Sequence, residues 1–144
     1  MTFSIVALDP KTKALGVAVS TAVPAVGSVV PHVEAEIGAI ATQAETSVLY
    51  GVDGLKLLKE GLSASATLEK MLLRDTHRER RQVTIIDIEG RAAAFTGKET
   101  IEWKGHLIRE DHVVAGNMLT GGNVLQAMTE AFQLETGSLA QSLL

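Results

Sequence analysis

Apolar runs broken by short polar turns divide the first part of the chain into predicted strands. Two runs, Thr2–Asp9 and Leu15–Ser20, are joined by the polar turn Asp9–Lys13 and predict a β-hairpin. Ser28–Val30 leads into a further extended stretch, and Ile37–Gln43 is typical of a buried strand that contains one glycine. We therefore expect a block of four strands at the start of the chain.

The segments after these four strands have apolar residues at the spacing of an α-helix. Leu49–Glu60 carries leucines at helical intervals, and Ser63 is a typical N-cap for a second helix that runs to Leu72. Near the end of the chain, Gly121–Asn123 opens an amphipathic helix, and Ser138–Leu144 starts another. The sequence therefore predicts two helices in the middle and two more at the end.

A second block of strands lies between these helical regions. Gln82–Ile88 and Arg91–Phe95 flank the turn Glu89–Gly90 and predict a second hairpin, while shorter extended segments are expected at Glu99–Trp103 and His112–Gly116. Blocks of strands separated by blocks of helices do not fit the strict alternation of a parallel sheet. They favour a single α+β domain over residues 1–144, in which helices cover the outer faces of two stacked antiparallel sheets.

Composition narrows the class of protein further. Hydrophobic residues make up 46% of the 144 residues and charged residues 21%, so the chain can bury an ordinary core. A net charge of −4 argues against general affinity for nucleic acid or anionic membranes, and no apolar run is long enough to span a bilayer. The absence of cysteine removes disulfides and thiolate chemistry. We expect a cytoplasmic protein without a cofactor and without nucleic-acid or membrane partners.

Thr2 is the first residue with candidate chemistry. Removal of Met1 would leave a hydroxyl and a free α-amine on the same residue, and an α-amine has a pKa of about 7.7–8.0. Such an amine can act as the general base for its own hydroxyl in nucleophilic catalysis. The alternative is a strand that begins with Thr because Thr is a good β-former.

Other polar residues allow two interpretations each. Asn117 can donate its side-chain amide to an oxyanion, or bind loop backbone as Asn commonly does in turns. Trp103 can line a ligand cleft or anchor the core. Gly121–Asn123 can hold an anion at a helix start or form a turn before an N-cap. The four histidines show no ligand spacing, so no metal site is expected.

Several segments together resemble the bacterial domain-of-unknown-function family 1028. They occur in order and at fitting spacings along essentially the whole chain. The matching stretches are Thr2–Ala7, Gly16–Val19, Ala25–Pro31, Gly38–Gln43, Arg81–Gln82, Gly90–Arg91, Thr96–Gly97, Trp103 with Gly105–His106, and Gly116–Leu119.

That family is similar to the N-terminal-nucleophile (Ntn) hydrolases. The resemblance implies an αββα sandwich of two antiparallel sheets flanked by helices, and hydrolysis of an amide bond with Thr2 as the nucleophile. Thr42 and Gln43 match a Thr-Gln-like strand ending of proteasome-like members. Those members also carry a lysine on the third strand, whereas this chain has none between Lys13 and Lys56, which leaves His32 as the only titratable base nearby. Because relatives continue past Leu144, we expect the chain to lack the C-terminal part of the family.

The resulting hypothesis is a small amidohydrolase that acts on a small amide or peptide-like substrate. In it, Thr2 attacks the carbonyl carbon and its α-amine carries the proton. The oxyanion is held by backbone N–H groups of Ala41–Gln43, which include Thr42 and Gln43, and by the side-chain amide of Asn117, next to Gly116. The alternative is a non-catalytic small-molecule-binding or assembly module on the same fold. In either case we expect self-association to a dimer or larger assembly, because sheet edges left without closing strands are usually paired or covered.

Overall fold

Eight strands and four helices make up the molecule, whose computed structural model describes residues 1–144. The strands are β1 (Thr2–Leu8), β2 (Leu15–Thr21), β3 (Pro31–Glu34), β4 (Gly38–Ala44), β5 (Arg81–Asp87), β6 (Ala92–Thr96), β7 (Gly105–Ile108) and β8 (His112–Asn117). The helices are α1 (Val48–Lys59), α2 (Ala64–Arg74), α3 (Asn123–Leu134) and α4 (Leu139–Ser142), with short 3-10 turns at Val26–Ser28 and Arg78–Arg80. The predicted order of four strands, two helices, four strands and two helices is confirmed.

The strands form two antiparallel four-stranded sheets. The first sheet has the order β2-β1-β8-β7, and the second has the order β3-β4-β5-β6. Both predicted hairpins are present, as β1-β2 and β5-β6. The α+β class with two antiparallel sheets is therefore confirmed.

One predicted strand is wrong. Glu99–Trp103 is a loop, and the edge strand of the first sheet is instead Gly105–Ile108. In the loop, the Thr100 hydroxyl donates to the Gly97 carbonyl at 2.7 Å, and the Lys104 ammonium donates to the Thr100 carbonyl at 2.8 Å. Side chains that bond to the loop's own backbone in this way compete with strand pairing.

Strand alternation divides the core into three clusters. Between the sheets, Val6 and Leu8 of β1 pack against Ala39 and Ala41 of β4 and Ile86 of β5. Successive side chains of a strand point to opposite faces of the sheet. The strand residues that alternate with these inward-facing ones therefore lie on the outer faces of the two sheets. This inter-sheet layer is the space in which the candidate site lies.

The outer faces of the sheets are covered by the helices. On the second sheet, Ile40 and Ile85 pack against Leu57 and Leu58 of α1 and Leu68 of α2. On the first sheet, a cluster formed with α3 and α4 contains Ile5, Ala7, Val114, Leu125 and Leu139. The layer order is therefore helices, sheet, sheet, helices. None of the four helices has the length and apolar character needed to cross a bilayer.

Candidate functional site

The inter-sheet layer changes from apolar to polar toward the start of β1. Beyond Val6, the next inward residue of β1 is Ser4, which is buried and followed by Thr2 at the edge. On the facing strands and on β8, the corresponding buried residues are also polar: Gln43, Gln82 and Asn117. Burial of uncharged polar side chains is costly unless they hydrogen-bond, so this end of the layer is a candidate site.

Thr2 lies between two strands that both contribute polar side chains. It pairs with Thr21 of β2 on one side and with Asn117 of β8 on the other, and paired residues place their side chains on the same face. Its Oγ1 lies 2.9 Å from Oγ1 of Thr21. We refer to Thr2, Thr21 and Asn117 as the Thr2 site.

Met1 covers the nitrogen of Thr2. Met1 is 51% exposed, and its α-ammonium group donates to Sδ of Met118 at 3.6 Å. The hydroxyl of Thr21 donates to the Met1 carbonyl at 3.2 Å. With Met1 in place the nitrogen of Thr2 is an amide, and only its removal would create the α-amine.

Three side-chain amides meet beside the Thr2 site, and we call them the amide cluster: Gln43, Gln82 and Asn117. Asn117 Nδ2 donates to Gln82 Oε1 at 3.0 Å, and Gln43 Nε2 donates to the same oxygen at 2.8 Å. All three residues are buried. The structure therefore brings two of the predicted residues, Asn117 and Gln43, together through a third that was not predicted.

Gly116 lies directly before Asn117 and contacts the amide cluster through its main chain. Its carbonyl accepts a hydrogen bond from Gln82 Nε2 at 2.9 Å. A Cβ at this position would lie 2.6 Å from Cδ1 of Leu119, so only glycine fits without a shift. Gly116 thus belongs to the surroundings of the Thr2 site as a backbone acceptor.

Thr42 does not join this site. It follows Ala41 and precedes Gln43 on β4, so its side chain points to the opposite face, toward the helices. Its hydroxyl donates to the Ser47 carbonyl at 3.2 Å, just before α1, and its N–H donates to the Val30 carbonyl at 3.1 Å. Both polar groups of Thr42 thus have partners within the fold.

His32 also lies away from Thr2. It pairs with Ile40 and therefore faces α1, and its Nε2 donates to the Val29 carbonyl at 3.2 Å. A Cβ on Gly51 of α1 would lie only 2.0 Å from Cγ of the His32 ring. The ring is thus packed directly under a glycine of the helix.

Four polar residues that complete the region are not among the site residues predicted from the sequence: Thr21, Gln82, Thr96 and His106. Thr96 Oγ1 lies 3.0 Å from Gln82 Nε2 and 2.8 Å from Nδ1 of His106, and burial lowers the pKa of His106. Alternation could have revealed Gln82, because it shares a face with the buried Ile86 of the same strand. The Trp103 ring packs against Gly105 and Gly122 at the surface and is 39% exposed.

The side chains of the Thr2 site and the amide cluster are neutral hydroxyls and amides. No group of three or more His, Asp or Glu side chains is arranged to hold a metal ion. The amide cluster can donate and accept hydrogen bonds without a change of charge, which suits recognition of a polar, uncharged group next to the Thr2 hydroxyl.

Fold and site together define an α+β sandwich protein with a threonine at the edge of an amide-lined inter-sheet layer. The chain belongs to DUF1028, a family of unknown function whose model matches residues 2–144. It is similar to the crystal structure of protein SPO2555 from Silicibacter pomeroyi, which is assigned to the same family: the two share 36% sequence identity with a TM-score of 0.95. The match covers 99% of this chain and 66% of that one, so this chain spans about two thirds of its relative. No curated protein matches the chain.

Proposed function

We propose that this protein is an amide-bond hydrolase with an Ntn-hydrolase-like αββα sandwich, in which Thr2 is the nucleophile after removal of Met1. The observation that carries the proposal is the place of Thr2. Its hydroxyl is at the polar edge of the inter-sheet layer, 2.9 Å from the Thr21 hydroxyl and opposite Asn117. The exposure of Met1 is consistent with its removal by an aminopeptidase.

In the proposed reaction, the α-amine of Thr2 takes the proton from Oγ1 while Oγ1 attacks the carbonyl carbon of the substrate. The tetrahedral intermediate collapses when the ammonium returns this proton to the leaving nitrogen, which breaks the C–N bond and leaves an acyl ester on Thr2. A water molecule, deprotonated by the same amine, then releases the carboxylic acid and regenerates the hydroxyl.

Asn117 is the proposed donor to the oxyanion. Only one hydrogen of its Nδ2 is used within the protein, by Gln82, so the second is free to donate. One such donor typically contributes about 3–4 kcal/mol to transition-state stabilisation. Thr42 and His32 are assigned no contact with substrate, because their polar groups are bonded elsewhere.

A second candidate is a non-catalytic module that binds a small amide on the same fold. It is favoured by the Met1 peptide bond, which keeps the Thr2 nitrogen as an amide, and by the fact that no ionisable side chain hydrogen-bonds to Thr2. In that function the Thr2 and Asn117 side chains would bind the ligand without reacting with it.

Intact mass spectrometry of the untagged protein tests the first requirement of the hydrolase, which is removal of Met1. Loss of the Met1 mass is expected, and retention of Met1 would exclude the hydrolase. The processed protein is then assayed against a panel of small amides and N-acyl amino acids, with Thr2→Ala expected to abolish turnover and Thr2→Ser to retain part of it. Thr12→Ala, in an exposed turn, is the matched control. Binding of an amide without turnover would support the second candidate.

A further inference from the structure

Gln82 is the most highly connected side chain beside the Thr2 site. It is fully buried on β5, and its Nε2 donates toward two main-chain carbonyls, those of Gly116 at 2.9 Å and Gly105 at 3.0 Å. Its Oε1 accepts from Asn117 and Gln43. One side chain of the second sheet is therefore bonded to two neighbouring strands of the first, the edge strand β7 and the inner strand β8.

The two carbonyls determine the orientation of the whole amide cluster. A main-chain carbonyl can only accept a hydrogen bond, so the end of Gln82 that faces Gly105 and Gly116 has to be its NH₂ group. Its oxygen then faces Asn117 and Gln43, and both of these must turn their NH₂ groups toward it. Asn117 Oδ1 is consequently directed away from Gln82, and it accepts no hydrogen bond from the protein.

The nitrogen of Thr2 lies on the β8 side of its strand. The N–H of Leu8 donates to the Asp111 carbonyl at 2.9 Å, just before β8. Alternate residues of an antiparallel strand direct their N–H groups to the same neighbour, so the nitrogen of Thr2 points to β8 as well, where its partner is Asn117. An α-amine formed there would adjoin the residue whose side-chain oxygen is unused.

We propose that Gln82 is a positioning residue of the Thr2 site: it prevents the Asn117 amide from flipping, so that Oδ1 accepts a hydrogen bond from the α-ammonium group of Thr2. This inference rests on the proposed function, since it concerns the processed chain. A hydrogen bond to the charged form of the amine stabilises that form. Gln82, which does not touch Thr2, thereby influences how readily the amine is protonated.

The test measures the amine directly and needs no substrate. In the processed protein, the rate at which trace acetic anhydride acetylates the Thr2 amine is followed against pH by mass spectrometry of the N-terminal peptide. Asn117→Ala removes the acceptor and is expected to raise the labelling rate at pH 7 about threefold to tenfold, equivalent to a shift of about half to one pKa unit. Gln82→Met is expected to change the rate in the same direction.

Thr84→Val is the matched control. Thr84 is as buried as Gln82, lies two residues away on the same face of β5, and makes no side-chain hydrogen bond. Its variant is expected to leave the labelling curve unchanged. A folded Gln82→Met that labels like the wild type, while Asn117→Ala labels faster, would overturn the positioning role.

If Gln82→Met does not fold, neutron crystallography of the wild-type chain tests the orientation of the Asn117 amide directly. Deuterium on Asn117 Nδ2 is expected to face Gln82 Oε1, and the opposite orientation would overturn the proposal. Both measurements are independent of turnover. A protein that shows the labelling shifts but hydrolyses no amide would disprove the proposed function and leave the role of Gln82 standing.

Discussion

The hydroxyls of Thr2 and Thr21 lie 2.9 Å apart at the open end of the β1-β2 hairpin. The antiparallel register determines this contact, because Thr2 and Thr21 are directly paired. With Met1 in place, the Thr21 hydroxyl donates to the Met1 carbonyl and therefore accepts from Thr2, so Thr21 is the side chain that fixes the direction of the proposed nucleophile's oxygen. Through Thr21, the β1-β2 hairpin that the sequence predicts contributes directly to the Thr2 site.

We expect Thr21→Val to lower kcat/KM of the processed enzyme about fivefold, because it removes a single hydrogen bond of roughly 1 kcal/mol from the nucleophile while keeping the side-chain shape. Thr21→Ser keeps the hydroxyl and should stay close to wild type. The measurement is steady-state kinetics on the best amide from the panel, with the melting temperature as a check on folding. Equal activity of the Val and wild-type proteins would show that Thr21 does not orient Thr2.

The pH dependence of stability should report the burial of His106. Because burial lowers its pKa, the ring is held neutral in the fold, whereas the unfolded chain takes up a proton near pH 6.5. The unfolded state therefore binds more protons as the pH falls below about 6.5, and the free energy of unfolding decreases. Urea titrations at pH 7, 6 and 5 should show a smaller decrease for His106→Gln than for the wild type.

His77→Gln is the control for this experiment. His77 precedes the 3-10 turn at Arg78–Arg80 and is exposed, so its replacement should leave the pH dependence as in the wild type. If His106→Gln and the wild type lose the same stability between pH 7 and 5, the protonation of His106 is not coupled to folding.

The ion pair between Arg81 and Asp75 should stabilise the junction of α2 and β5. Arg81 Nε donates to Asp75 Oδ2 at 2.9 Å, the Tyr50 hydroxyl donates to the same oxygen at 3.1 Å, and the side chains of the pair are only 12% and 17% exposed. Burial alone would raise the pKa of Asp75, but its hydrogen bonds outweigh that effect and lower it. Arg81→Met would leave this carboxylate without its charged donor.

We therefore expect Arg81→Met to reduce the free energy of unfolding by about 2 kcal/mol in urea titrations at pH 7. Lys56→Met is the control, because Lys56 and its partner Asp53 are 68% and 52% exposed, and such pairs contribute about 0–1 kcal/mol. Similar losses in the two variants would contradict a special role of the Arg81 pair.

Self-association should be visible in light scattering. Each sheet has two edge strands that pair on one side only: β2 and β7 in the first, β3 and β6 in the second. Unpaired edges tend to be covered by another chain, so we expect a dimer or larger species. A constant mass of 15.3 kDa, that of one chain, across a wide concentration range would contradict this expectation.

The parts of the fold that the sequence predicted are those set by local pattern. Alternation and a polar turn suffice for the β1-β2 and β5-β6 hairpins. The edge strand Gly105–Ile108 has only four residues and carries no such pattern, while the loop Glu99–Trp103 imitates one through Ile101 and Trp103. Which of the two pairs with β8 depends on contacts of the loop that are invisible in the sequence.

The candidate site, like the fold, contains some residues that local sequence indicates and others that only the tertiary structure brings together. Thr2 and Asn117 could be identified from the sequence and a family resemblance, but Gln82 orients the amide cluster through partners that are 23 to 39 residues away along the chain. Thr42 and Gln43 enter the prediction together because they resemble a Thr-Gln-like strand ending of proteasome-like members, but alternation places adjacent strand residues on opposite faces. Knowledge of the sheet register is needed before neighbours in sequence can be assigned to one site.

The close approach of His32 to α1 gives a prediction about Gly51. Alanine is intrinsically better than glycine in a helix by about 1 kcal/mol, so Gly51→Ala would stabilise an isolated helix. Here the added Cβ would lie 2.0 Å from the His32 ring, whose Nε2 is bonded to the Val29 carbonyl, so the ring cannot move away without losing a hydrogen bond.

We expect the steric overlap between the added Cβ and the His32 ring to cost more than the gain in helix propensity, because overpacking of this kind typically costs 1–3 kcal/mol. Gly51→Ala should therefore lower the free energy of unfolding in urea, and the double variant with His32→Ala should recover stability relative to the sum of the single changes. Gly27→Ala, where a Cβ meets nothing within 4 Å, is the matched control and should change stability by less than about 0.5 kcal/mol. Additive effects of Gly51→Ala and His32→Ala would mean that the ring and the helix are not in contact in solution.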